Sequence, residues 1–181
     1  ANSNQMVLEA MGLQLPGSSF VNPGTPLRDA LTQAAAEHIA KVARTNRQPL
    51  PLAEVIDERS FVNAIVALLA SGGSTNLCIH LIAVARAAGL LINWSDFDAL
   101  SKVTPLLAQI YPNGGADINH FQAAGGTGYL FGQLISAGLM HEEARVCFGG
   151  NLGDACIEPY LESGALCWRS APKESLDTDV I

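Results

Sequence analysis

The feature that most constrains this chain is the apolar stretch running from Phe61 to Ile92, broken only at Ser71-Gly72-Gly73-Ser74-Thr75-Asn76. Before the break stand Phe61, Val62, Ala64, Ile65, Val66, Ala67, Leu68 and Leu69; after it stand Leu77, Ile79, Leu81, Ile82, Val84 and Ala85. Neither half reaches the ~20 apolar residues that a bilayer demands, which argues against a membrane span. Neither half carries a polar stripe, and a helix that is apolar all round must be covered on most sides. The pattern predicts helices over 59–70 and 77–89, the second terminated by Gly89, packed at the centre of a larger domain. Cys78 and His80 fall inside the second helix, Cys78 as a small buried hydrophobe and His80 as a hydrogen-bonded core histidine, the alternative being a reach to a ligand at the helix start one turn away.

The flanking sequence is also mainly helical. Periodicity predicts helices over 3–13, 25–45, 94–103, 118–124 and 129–137. Thr25 is an N-cap with Pro26 in the first turn, where a missing N–H costs nothing. Leu27, Ala30, Leu31, Ala34, Ala35, His38, Ile39 and Val42 form its apolar stripe, with His38 as a satisfied core or boundary residue rather than a catalytic one. Ser95, with Asp98, is the expected cap of the 94–103 helix. Residues 106–111, 145–148 and 166–169 read as short strands, and 152–161 is ambiguous. The expected fold class is therefore mainly α with a few short strands.

Charge narrows the function classes. The 181 residues carry a formal net charge of −7 with only ten Lys and Arg, so they lack the basic surface that neutralises phosphates along nucleic acid. Arg44 and Arg47, the one dense basic spot, suit a helix end. At 49% hydrophobic and 15% charged, the chain has a large apolar interior or covers part of its surface with another element. The polar, uncharged start shows no signal peptide, so a cytoplasmic location is expected. Cys78, Cys147, Cys156 and Cys167 have no metal-site spacing and read as reduced structural thiols.

Among candidate sites, Gly72-Gly73-Ser74-Thr75-Asn76 entering a helix stands out. Unpaired first-turn N–H groups favour an anion. Ser74, Thr75 and Asn76 add side chains able to hydrogen-bond hydroxyl or carboxylate groups. The same residues also fit a helix–helix corner where glycine allows close packing. Gly125-Gly126-Thr127-Gly128 superficially resembles a dinucleotide loop, but no strand precedes it. Asn119-His120 lies near turns, and His141 with Cys147 and Cys156 lacks recognisable ligand spacing.

Ala1-Asn2-Ser3-Asn4-Gln5-Met6, Glu9-Ala10-Met11-Gly12-Leu13 and Leu15-Pro16-Gly17 resemble a segment of the family that contains the dihydroxy-acid and phosphogluconate dehydratases. Gly72 to Asn76 with His80-Leu81, then Ala123-Ala124-Gly125-Gly126 and Ser136-Ala137-Gly138-Leu139, continue the pattern in the same order over nearly the whole chain. Ser18 to Pro23, Asn113 to Phe121, Glu158-Pro159 and Ser175-Leu176-Asp177 resemble the family's phosphogluconate branch.

The resemblance implies the helical part of the family's α/β N-terminal domain. It implies a hydro-lyase that turns a 2,3-dihydroxy acid into a 2-keto acid. For that branch the substrate is the sugar-acid phosphate 6-phospho-D-gluconate and the product 2-keto-3-deoxy-6-phosphogluconate, in the Entner–Doudoroff route. It also implies a homodimer, an iron–sulfur (4Fe-4S) cluster acting as Lewis acid, and a divalent cation. The family's cluster cysteines, cation ligands and catalytic serine match no position here, so no catalytic, cofactor-binding or metal-binding residue is assigned. Ser74, Thr75 and Asn76 are the expected substrate contacts. Residues 1–181 are expected to be one partial domain, an internal fragment inactive alone. The alternatives are a dehydratase of another dihydroxy or sugar acid and a non-catalytic helical interaction module.

Overall fold

The computed structural model describes residues 2–44, 49–111 and 113–181. Among these, seven α-helices are joined by turns, and the only paired strands form one hairpin. The helices are α1 (Ser3–Ala10), α2 (Pro26–Arg44), α3 (Glu58–Ala70), α4 (Thr75–Ala87), α5 (Trp94–Ser101), α6 (Ile118–Ala124) and α7 (Gly126–Ser136). The mainly helical class expected from periodicity is what the structure has. The expected helix end at Thr45, and Arg47 of the basic spot, lie outside the described residues.

Helix α3 is the axis of the molecule. Asp57 starts it: its carboxylate accepts from Ser60 N–H while the Ser60 hydroxyl accepts from Asp57 N–H, a reciprocal cap. Val66, Ala67 and Ala70 face a cluster with Met6, Phe20, Phe121, Leu130, Phe131 and Leu134. Phe61, Ala64, Ile65 and Leu68 face a second cluster with Val7, Met11, Leu81, Ala85 and Phe97. Two cores on opposite sides explain why the helix has almost no polar face. Its buried polar residues are paired: the Asn63 amide donates to His141 O at 3.0 Å and accepts from His141 N at 2.7 Å.

Helix α4 corrects the expectation. Only Leu81 and Ala85 of its thirteen residues are buried, while Ile79 is 59% and Val84 45% exposed. His80, expected in the core, lies on that exposed side. Local sequence records that a face is apolar but not whether anything within the chain reaches it. The cap of α5 is also shifted: Asn93 accepts from Ser95 N–H at 2.9 Å, and Asp96 accepts from Asn93 N–H at 2.8 Å, closing the box that Ser95 and Asp98 were expected to form.

Residues 106–111 form no strand, making only an isolated bridge of Ile110 with Ala116. Leu107 and Ala108 N–H both donate to the last carbonyl of α3, Ala70 O, at 2.8 and 3.1 Å. Residues 145–148 likewise make only an isolated bridge, Arg145 with Asn151. The true hairpin is β1 (Ile157–Glu162) with β2 (Ala165–Ser170), antiparallel, with Glu162 opposite Ala165. Ser163 and Gly164, both at positive φ, form the tight turn whose twist suits a hairpin. Trp168 on β2 donates through Nε1 to Pro16 O at 3.2 Å, fastening the hairpin to the loop after α1. No helix among the described residues is long and apolar enough to cross a membrane.

Candidate functional site

The candidate site forms where α1, the α3–α4 turn, Ile110, Tyr111 and Asn113 meet. Ser71 ends α3, and its hydroxyl donates back to Ala67 O at 2.8 Å. Gly72 then takes φ +58°, in the left-handed region, and a Cβ there would collide with the Asn113 side chain. That amide donates to Gly72 O at 2.6 Å. A Cβ on Gly73 would run into Leu68 and into Ser3 at 2.9 Å from its Oγ. Both glycines therefore permit close packing against protein neighbours, as the corner reading expects.

The helix entrance beyond them remains open. Ser74 N–H donates to Ser3 Oγ at 3.0 Å, which ties the start of α1 to the start of α4. Neither α1 nor α4 has a side-chain cap or an acidic residue in its first turn. By contrast, α3, α5 and α6 are capped by Asp57, Asn93 and Asp117, and α2 by the Thr25 hydroxyl. Thr75 and Asn76 N–H find no acceptor among the described residues. Of the three uncapped helix starts, α7 being the other, those of α1 and α4 open on one cavity of about 470 Å³, whose walls include Asn2, Ser3, Ser74, Thr75, Tyr111 and Asn113. Two positive dipole ends with free N–H groups favour an anionic or polyhydroxylated ligand. Of the expected contacts, Ser74 and Thr75 line the cavity; Asn76 is exposed on the same first turn but is not part of the wall.

Glu9 is the residue that sequence reasoning missed. It is 4% exposed and accepts four hydrogen bonds. Its Oε1 takes Gly17 N–H at 2.7 Å and the Thr127 hydroxyl at 2.6 Å. Its Oε2 takes Ser19 N–H at 3.1 Å and the Ser19 hydroxyl. Burial pushes the carboxyl above its ordinary range, against the pull of those four donors. The carboxyl thereby holds α1, the 14–21 loop and the start of α7 together. A lone Glu on the apolar side of α1, within the Glu9-Ala10-Met11-Gly12-Leu13 string and followed by Gly17-Ser18-Ser19, was the available signal.

The same contact explains Gly125-Gly126-Thr127-Gly128. These four residues are buried, Thr127 binds Glu9, and Gly128 packs against Ala171 and Ile157, so a nucleotide has no access. His120 is exposed and belongs to the Asp117 cap, whose carboxyl is held low by His120 and Asn119 N–H. His38 contacts Cys147 O through Nε2 at 3.0 Å and packs tilted against Phe148, which makes it a boundary rather than a core residue. No group of three or more His, Cys, Asp or Glu side chains converges among the described residues, so His141, Cys147 and Cys156 form no such set.

A helical scaffold with an anion-friendly cavity at two helix starts is the class that fold and site define. Residues 1–155 match the family described as dihydroxy-acid/6-phosphogluconate dehydratase N-terminal, and the chain belongs to that family. It is 55% identical over its full length to the phosphogluconate dehydratase of Escherichia coli (strain K12), covering 30% of that protein. It is 52% identical, with the same coverage, to the phosphogluconate dehydratase of Pseudomonas aeruginosa. Against the dihydroxy-acid dehydratase of Thermus thermophilus, identity is 34% over 90% of the chain and 29% of that protein. The chain thus spans about 30% of the length of these relatives.

Proposed function

We propose that the chain is part of a hydro-lyase that dehydrates 6-phospho-D-gluconate to 2-keto-3-deoxy-6-phosphogluconate, the Entner–Doudoroff dehydration. The observation that carries this reading is the gap in identity: 52–55% to two phosphogluconate dehydratases against 34% to a dihydroxy-acid dehydratase. In the reaction the C2 proton is removed, the C3 hydroxyl leaves as water, and the resulting enol becomes the 2-keto acid. The chain's own contribution is binding and orientation. Ser74 and Thr75, with the free N–H groups of Thr75 and Asn76, hold the carboxylate or an adjacent hydroxyl at the helix entrance.

The whole protein would carry a 4Fe-4S cluster, which supplies Lewis-acid help to the departing hydroxyl, and a divalent cation. The residues present do not fit either group. Among the described residues no three His, Cys, Asp or Glu side chains converge as a ligand set for either one. The ligands are therefore assigned outside this chain. Residues 1–181 are read as one partial domain of a cytoplasmic homodimer.

The test uses the full-length protein carrying this chain, purified anaerobically and offered 6-phosphogluconate or 2,3-dihydroxyisovalerate, with the 2-keto acid trapped as a hydrazone. Turnover of 6-phosphogluconate is expected; turnover of the branched dihydroxy acid alone would overturn the proposal. The 181-residue chain by itself should be inactive.

A further inference from the structure

A second polar cavity, of about 500 Å³, adjoins the first and shares Asn2, Phe20 and Ile118 with it. Its polar walls are Asn2, Gln5, Gln14, Ser19, Asn22 and Arg28, and among the described residues no carboxylate lines it. Arg28 is half-buried, in the first turn of α2. Its Nε and Nη2 donate to Val21 O at 3.0 and 2.6 Å, and Nη2 also donates to Ser18 O at 2.6 Å. Those carbonyls fix the guanidinium without neutralising it. Among the described residues Arg28 makes no ion pair, and its Nη1 has no acceptor. The side-chain amides of Asn2, Gln5 and Asn22 likewise donate to no described residue. A fixed, uncompensated cation ringed by neutral amide donors matches a compact dianion.

We infer that this cavity binds the phosphate end of a phosphorylated sugar acid, with Arg28 as its cationic contact and Asn22 on its rim. The inference rests on the proposed function and deepens it. The helix entrance at Ser74 and Thr75 takes the carboxylate end, and the shared wall of Asn2 and Phe20 lies between the two charges. A substrate with anions at both ends would bridge the pair of cavities; a short, unphosphorylated dihydroxy acid would fill only the first.

The experiment uses the full-length protein with Asn22→Asp and Arg28→Gln. The KM for 6-phosphogluconate, kcat, and competitive inhibition by inorganic phosphate are measured together with Tm. Asn22→Asp places a like charge on the rim without touching the Arg28 carbonyl contacts. Each variant should raise KM about tenfold or more, the scale of one lost charge-assisted hydrogen bond. Inhibition by phosphate should weaken in parallel, and kcat should fall less than KM rises. If Arg28→Gln lowers Tm and kcat while Asn22→Asp changes nothing, Arg28 only braces its loop and the inference is overturned. Unchanged KM and phosphate inhibition in both variants overturns it too, leaving the proposed function intact. A wild-type protein that does not dehydrate 6-phosphogluconate overturns that function instead, and this inference with it.

Discussion

Replacing Glu9 by Gln tests the buried carboxylate most sharply. Each carboxylate oxygen accepts one backbone N–H and one hydroxyl: Gly17 and Thr127 on Oε1, Ser19 N–H and its hydroxyl on Oε2. A glutamine amide has one oxygen and one NH₂. Whichever way it flips, its NH₂ confronts a backbone N–H that cannot turn away, although the hydroxyl beside it can rotate and accept. One buried donor is left without a partner, at about 1–3 kcal/mol. Native-state hydrogen exchange on the segment spanning 14–21 should then quicken about 5- to 150-fold. Glu9→Ala orphans both N–H groups and opens a void, so its effect should be larger. The pH dependence has a definite sign. Burial raises the folded-state pKa above 4.5, so Glu9 contributes most below that value and progressively less as pH rises through the folded pKa. The Gln penalty should accordingly be greater near about pH 4 than near about pH 8. Exchange rates that Glu9→Gln leaves unchanged, or a penalty that grows with pH, would refute this account.

Thr75→Pro isolates the helix entrance. Proline at the first helical position leaves α4 intact, and Ser74 already has the extended backbone that precedes proline (φ −65°, ψ 128°). Only one N–H and a hydroxyl are lost, so KM for the acid should rise about tenfold with Tm unchanged, and Thr75→Ala should lie between. An unaltered KM in Thr75→Pro would remove the entrance from the site. Gly73→Ala should push Ser3 away and break its bond to Ser74 N–H, impairing turnover more than its helical neighbours' substitutions do; crystallography of the variant would show the displaced α1. Asp57→Ala should cost about 1 kcal/mol by chemical denaturation, the usual value of an N-cap. Although burial opposes it, hydrogen bonds from Arg59 and Ser60 hold the Asp57 carboxyl below 3.8. Its contribution is therefore present above that value and lost as pH falls through the folded pKa.

Much of the architecture was legible in local sequence because helices announce themselves through spacing and punctuation. Pro26 after Thr25 marked α2, and Asp117 before Ile118 began α6 where periodicity placed it. The small-residue break at Ser71 to Asn76 marked both a corner and an open helix start, and it serves as both. The hairpin was only half legible. Ser163-Gly164 is a turn signal, but the ambiguous 152–161 stretch hid its first strand.

Tertiary structure decided what no local pattern encodes. The apolarity of α4 predicted burial, yet nothing within the described residues covers Ile79 or Val84, because burial depends on what reaches a face. Glu9 finds its partners at separations from eight to 118 residues, and Arg28 becomes an uncompensated cation only once its loop closes around it. Sequence by itself determined the helices, the family and the glycine entrance, through short-range spacing and shared motifs. Only the folded chain placed two helix starts on one cavity and an arginine on the next, because side chains distant in sequence meet through packing.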